Sequence, residues 1–151
     1  MNLMDKREAI ITHLKDFFKK SSCKYGLEIV FLYGSWACGL PRHSSDVDIG
    51  VVFSSEPSSD DESFERITDI SHTLSAEFNM EVNVIRIHED FRKPMLYYNA
   101  IVAGLPVYIN DHDRYTRLKN EAVYQMEDYS IFGIDWQHGV TRKNLEVLKY
   151  A

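Results

Sequence analysis

Hydrophobic positions recur along the chain with two different periods, and the change from one to the other marks the elements. Between Met4 and Lys20, Ile10, Leu14 and Phe17 fall at i, i+4 and i+7 among charged residues, which predicts an amphipathic helix with one face on a core. Ser21 and Ser22 break that pattern. Gly26 then precedes Leu27-Glu28-Ile29-Val30-Phe31-Leu32-Tyr33, an apolar run dense enough for a buried strand. The run delivers Gly34 and Ser35. A helix after Ser35 must be short, because Pro41 lacks an N–H donor and restrains the residue before it.

Val47 to Phe53 reads as a second strand, followed by a polar loop over Ser54–Asp61 that could border a site. Asp60 or Asp61 can cap a helix carrying Phe64, Ile67, Leu74 and Phe78, which Asn79 ends. Glu81 to Ile87 alternates polar and apolar positions and predicts a third strand, with Glu81, Asn83 and Ile85 on one face. Pro94 suits the first turn of a helix through Leu96, Ile101 and Val102, with Gly104 as its C-terminal cap. Leu105 to Ile109 reads as a short strand that its proline places at a sheet edge. Helical composition returns from Asp113 to about Tyr129 and from about Asp135 to Tyr150. This order predicts an α/β or α+β layered domain, a single unit over residues 1–151 with no internal repeat or linker.

Composition narrows the function classes. The 151 residues carry a formal net charge of −6, which argues against affinity built on neutralising many nucleic-acid phosphates. No apolar stretch approaches the roughly 20 residues that span a bilayer, so no membrane role is expected. Cys23 and Cys38 form no metal-ligand spacing, and the N-terminal residues are charged, not a signal-like apolar segment. These features point to the cytoplasm and to cysteines that act as small packing residues. The six histidines are scattered without metal-binding spacing. The many aromatic residues are expected mostly in the core, with a minority available for a partner face.

Chemistry concentrates after the first strand. Gly34 and Ser35 are followed after ten residues by Asp46-Val47-Asp48. On a strand, residues two apart share a face, so both carboxylates enter one small volume, the usual provision for a hard cation. A Gly-Ser turn leading from a strand into a helix offers backbone N–H groups, a hydroxyl and a positive dipole end, which suit phosphate. Together they predict metal plus triphosphate; two aspartates at a solvated strand end are the plainer alternative. Ser44 and Ser45 can hydrogen-bond the Asp-x-Asp turn or serve as ordinary turn residues.

Gly34-Ser35, ten residues and Asp46-x-Asp48 resemble the signature of the polymerase beta-like nucleotidyltransferases. At this length, with almost nothing added to the core, the chain looks like a minimal nucleotidyltransferase (MNT), the antitoxin of HEPN/MNT toxin–antitoxin pairs. The resemblance covers roughly Leu27 to Ile109. It implies a small mixed sheet flanked by helices, Mg²⁺ ligated by Asp46 and Asp48, and Ser35 holding a phosphate of ATP at the close approach Gly34 permits. It also implies a third carboxylate on the later strand, where this chain has Asn83. Asparagine keeps a neutral ligand but loses the charge and cannot act as a general base. Glu81, about 6.6 Å away along the strand, is the candidate substitute. A one-residue shift of the third position, a weakened enzyme and an engineered change stay open. Cys38 stands where the family often has a basic residue, and Arg42 could bring charge to the phosphates or be a solvated loop residue.

The activity so implied is transfer of AMP from ATP to a tyrosine hydroxyl of a cognate HEPN ribonuclease toxin. A second reading is a catalytically weakened module on this fold that neutralises its partner by binding. A third is nucleotidyl transfer to a small molecule, for which no second domain is evident.

Overall fold

The computed structural model describes residues 2–128. Helix α1 runs over Leu3–Tyr25 and strand β1 over Leu27–Tyr33, followed by the four-residue helix α2 at Ser35–Cys38 and strand β2 at Val47–Phe53. Helix α3 (Asp60–Phe78), strand β3 (Val82–Arg86), helix α4 (Pro94–Ile101) and strand β4 (Leu105–Ile109) complete the numbered order, and a further helix, α5, covers 112–128. The predicted helix from Asp135 lies outside the described residues.

The four strands form one sheet in the order β3-β2-β1-β4. β1 pairs antiparallel with both β2 and β4, whereas β2 and β3 are parallel. A parallel pair needs a crossover, which α3 supplies. β4 takes an edge, as its proline requires. Pairing at β3 reaches beyond its ends, since the Val47 N–H donates to the Glu81 carbonyl and the Ile87 N–H to that of Val51, both at 2.9 Å.

The alternation along β1 divides the core. Val30 and Leu32 join Ile10, Leu14, Phe18, Ile70 and Leu74 of α1 and α3 on one face. Ile29 and Phe31 join Tyr97, Ala100, Ile101, Leu118 and Ala122 of α4 and α5 on the other. β2 divides in the same way, with Ile49 and Val51 toward α1 and α3, and Val52 toward α4. Asp48 and Gly50 share the side of Val52, because side chains alternate along a strand. A Cβ on Gly50 would stand 3.5 Å from that of Ala100.

Several local expectations need correction. Helix α1 continues past Ser21 and Ser22 to Tyr25, because the Ser21 hydroxyl donates to the Phe17 carbonyl at 2.6 Å and Ser22 is buried. Phe18, not Phe17, is the fully buried aromatic of its core face. Ser59 caps α3, its hydroxyl accepting from the Glu62 N–H at 3.1 Å, so Asp60 is already helical. Phe64 is 69% exposed, while Ile70 and Leu74 carry the buried stripe. Both cysteines are exposed, not packed in the core. α4 ends at Ile101 with Val102 as its C-cap and Gly104 beyond; a Cβ on Gly104 would lie 2.1 Å from the Ala100 carbonyl oxygen and 2.9 Å from that of Leu32. Close packing of backbone, not capping, requires that glycine. The Ser54–Asp61 loop leaves the end of β2 opposite Asp46 and Asp48, so it does not border the site they define.

Candidate nucleotide and metal site

β1 is buried along its length up to its last residue, and it ends where Gly34 reverses the backbone at φ 75° and ψ −155°. The next four residues form α2, whose first amides have no acceptor within the helix. Its position is fixed from below. Trp36 is fully buried, and its indole N–H donates to the Ser45 carbonyl at 3.0 Å. The Arg7 guanidinium reaches across from α1 to the C-terminal carbonyls of α2, with Nε 2.6 Å from the Trp36 oxygen and Nη2 3.0 Å from that of Ala37. The Lys6 ammonium lies 5.6 Å over the Trp36 ring and 3.4 Å from the His43 carbonyl. Two adjacent residues of α1 thus hold the Gly-Ser turn and the following loop as one unit.

That loop returns the chain to Asp46 and Asp48. The Ser45 hydroxyl accepts from the Arg42 N–H at 2.8 Å, and the Ser45 N–H donates to the Arg42 carbonyl at 3.0 Å. Ser45 therefore closes the turn that leads into β2. Arg42 itself is exposed. Asp48 opposes Tyr33 on β1 and Asn83 on β3. A Cβ on Gly34 would stand 2.5 Å from Oδ2 of Asp48, so the bare glycine is the space into which this carboxylate projects. The side-chain amide of Asn83 donates to Oδ1 of Asp48 at 3.4 Å, a long hydrogen bond.

Electrostatics single out the same carboxylate. Burial pushes the Asp48 carboxyl above its ordinary range, the Asn83 hydrogen bond draws it back, and the charges of Asp46 and Glu81 raise it further. Tyr33 is pushed up to about 12, first by burial and then by the charge of Asp48. A cation would relieve the crowding of negative charge around Asp48, and oxygen ligands beside a glycine that leaves room fit a hard divalent ion. Gly34, Asp48 and Asn83 are thus brought together directly, with Ser35 next in the turn and Asp46 and Glu81 close enough to bias Asp48 by charge. Among the described residues no three His, Cys, Asp or Glu side chains gather as a metal cluster. Sequence reasoning did not single out Arg7, Lys6, Trp36 and Tyr33; the tryptophan inside the Gly-Ser helix was the one local signal available.

A Gly-Ser turn from a strand into a short helix, an Asp-x-Asp pair opening the antiparallel neighbour, and a third strand parallel to it define the nucleotidyltransferase class of fold. The chain belongs to the family described as polymerase beta, nucleotidyltransferase, which it matches over residues 12–113. Curated protein sequences give no significant match. Among solved structures, a toxin–antitoxin complex with AMP-PNP superposes with a TM-score of 0.61 at 15% identity, covering 85% of this chain and 96% of that one. A tri-AMPylated Shewanella oneidensis HEPN toxin in complex with its MNT antitoxin gives 0.57 at 14% identity, covering 87% and 97%. An MntA–HepT toxin–antitoxin complex gives 0.57 at 13% identity with the same coverage, 87% and 97%. At such identities these likenesses establish the shared fold. No helix among the described residues is long and apolar enough to cross a membrane.

Proposed function

We propose that this chain is an MNT-type antitoxin that transfers AMP from ATP, with Mg²⁺, to a tyrosine hydroxyl of a cognate HEPN toxin. The observation that carries the reading is the approach of Asp48 to Gly34, which sets a turn suited to phosphate beside a carboxylate suited to a cation. The toxin–antitoxin complexes that share the fold, one with AMP-PNP and one with a tri-AMPylated toxin, support the nucleotide and the acceptor class. In the reaction the tyrosine oxygen bonds to the α-phosphorus of ATP, the bond from that phosphorus to the bridging oxygen breaks, and pyrophosphate leaves while the phenolic proton passes to water. Asp46 and Asp48 would hold Mg²⁺, which neutralises triphosphate charge. Gly34 admits the phosphates, and Ser35 with its neighbouring amides orients them. Arg7 and Trp36 keep that turn in register with the carboxylates.

The test is incubation with labelled ATP, Mg²⁺ and a HEPN partner, reading label on the toxin. Transfer that Asp46→Ala and Asp48→Ala abolish is the expected result; no transfer, with none gained by Asn83→Asp, would falsify catalysis. Asn83 favours a second reading, in which the domain silences its partner by covering it. Under that reading a stable complex forms without ATP, and an Asp46→Ala chain protects cells as well as the parent.

A further inference from the structure

The position of Asn83 does more than remove a charge from the site. It pairs with Asp48 across parallel strands, so the two side chains stand side by side on one face of the sheet. The two oxygens of Asp48 then have different neighbours. Oδ2 faces the space over Gly34, where the nucleotide-site reading puts the triphosphate, whereas Oδ1 accepts the amide N–H of Asn83. The carboxylate also fixes the orientation of that amide, because turning the amide oxygen toward it would set two acceptors against each other.

A site for two divalent ions places them roughly 3.5–4 Å apart and needs a carboxylate with both oxygens free to bridge them, plus anionic ligands for the second ion. Here one oxygen of the bridging candidate faces a donor, the Asn83 amide at 3.4 Å. The residue beside it is a neutral amide, and among the described residues no third acidic side chain joins Asp46 and Asp48 in a metal cluster. An N–H donor and a cation compete for the same lone pair. The amide brings partial positive charge to Oδ1 without any ion.

We propose that this site binds one divalent ion with its nucleotide, not two, and that the Asn83 amide occupies the place of the second ion on Oδ1 of Asp48. The inference rests on the nucleotide-site reading above and specifies its metal count. The single ion would be held by Asp46 and Asp48. An acceptor hydroxyl approaching from the β3 side meets an amide that neither draws off nor accepts its proton.

The experiment counts ions instead of turnover. The full chain is saturated with an ATP analogue bridged by a methylene between the α- and β-phosphates and titrated with Mn²⁺, and free Mn²⁺ is read from its paramagnetic resonance signal. The expected counts are one bound Mn²⁺ per chain for the parent and for Asn83→Ala, and two for Asn83→Asp. Two ions in the parent or in Asn83→Ala overturn the proposal, as does one ion in an Asn83→Asp chain whose melting temperature is unchanged. The parent count decides alone if Asn83→Asp loses the fold. Calorimetry on the same samples reports nucleotide binding separately, and its absence in the parent overturns the nucleotide-site reading and the metal count together.

Discussion

Replacing Gly34 by alanine separates the backbone role of this residue from its role in the site. The residue lies at φ 75° and ψ −155°, a region essentially reserved for glycine, where an alanine costs about 1–3 kcal/mol. For a chain of this size each kcal/mol lowers Tm by about 2–4 °C, so the expected fall is about 2–12 °C. The added Cβ would also stand 2.5 Å from Oδ2 of Asp48. That oxygen ends a short side chain that can rotate aside, so the clash adds little to the stability loss and instead displaces the carboxylate. Affinity for Mn²⁺ with a nucleotide analogue should then fall at least about tenfold, equivalent to 1.4 kcal/mol. Gly39→Ala is the matched control, since Gly39 also has positive φ, 78°, yet a Cβ there meets nothing within 4 Å. It should lower Tm and leave binding intact. Scanning fluorimetry gives the first quantity and calorimetry the second. Equal binding losses in both variants, or undiminished binding in Gly34→Ala, would refute the account of Asp48 projecting into the glycine's space.

Arg7→Ala removes two charge-assisted hydrogen bonds from the end of α2, each of the kind worth about 1.5–3 kcal/mol, and because such pairs are not additive the expected loss is about 2–4 kcal/mol by urea unfolding. Arg7→Lys should recover little, since one ammonium does not reproduce the guanidinium fork, and a loss below about 0.5 kcal/mol for the alanine variant would show that the clamp is unimportant. Tyr25 supplies a pH test: burial, then the hydrogen bond and charge of Asp69, push its phenol up to about 12 from 10.0. The folded chain therefore keeps this proton where the unfolded chain has lost it, and stability declines as pH rises from about 10 toward 12. Tyr25→Phe should flatten that alkaline decline in urea midpoints; an unchanged slope counts against the assignment.

What could be read in the sequence was what local spacing dictates. The dense run Leu27–Tyr33 permits little but a buried strand, whereas the two-residue period invoked for Asp46 and Asp48 stops short of Asp46, which precedes β2. The partnership of Asp48 with the later strand came from the family resemblance, which set Asn83 at the third position, and the structure gives it register. The errors have a common physical origin, since each turned on which of several acceptable neighbours the folded chain supplies. Serines end many helices, yet Ser21 bonds back to its own turn and lets α1 run on. A glycine after a helix is usually a cap, but Gly104 answers to the Ala100 carbonyl at its own helix end and to the Leu32 carbonyl of a strand far away in sequence.

The same distinction explains why Arg7 was invisible. Its charge at the start of an amphipathic helix reads as a solvated surface residue, and only the packing of α1 beneath α2 turns it into a ligand for the Trp36 and Ala37 carbonyls. This places the stability of the Gly-Ser turn under the control of a residue 27 positions before Gly34. The carboxylates, by contrast, depend on strand register, held by β1 on one side and β3 on the other. The Gly-Ser turn and the carboxylates therefore have different main supports, joined at Gly34 and Asp48 and through the Trp36 indole on the Ser45 carbonyl. Loosening α1 should weaken nucleotide binding while the β2–β3 register survives. Changing Asn83 should alter the ion count while the Gly-Ser turn stays in place.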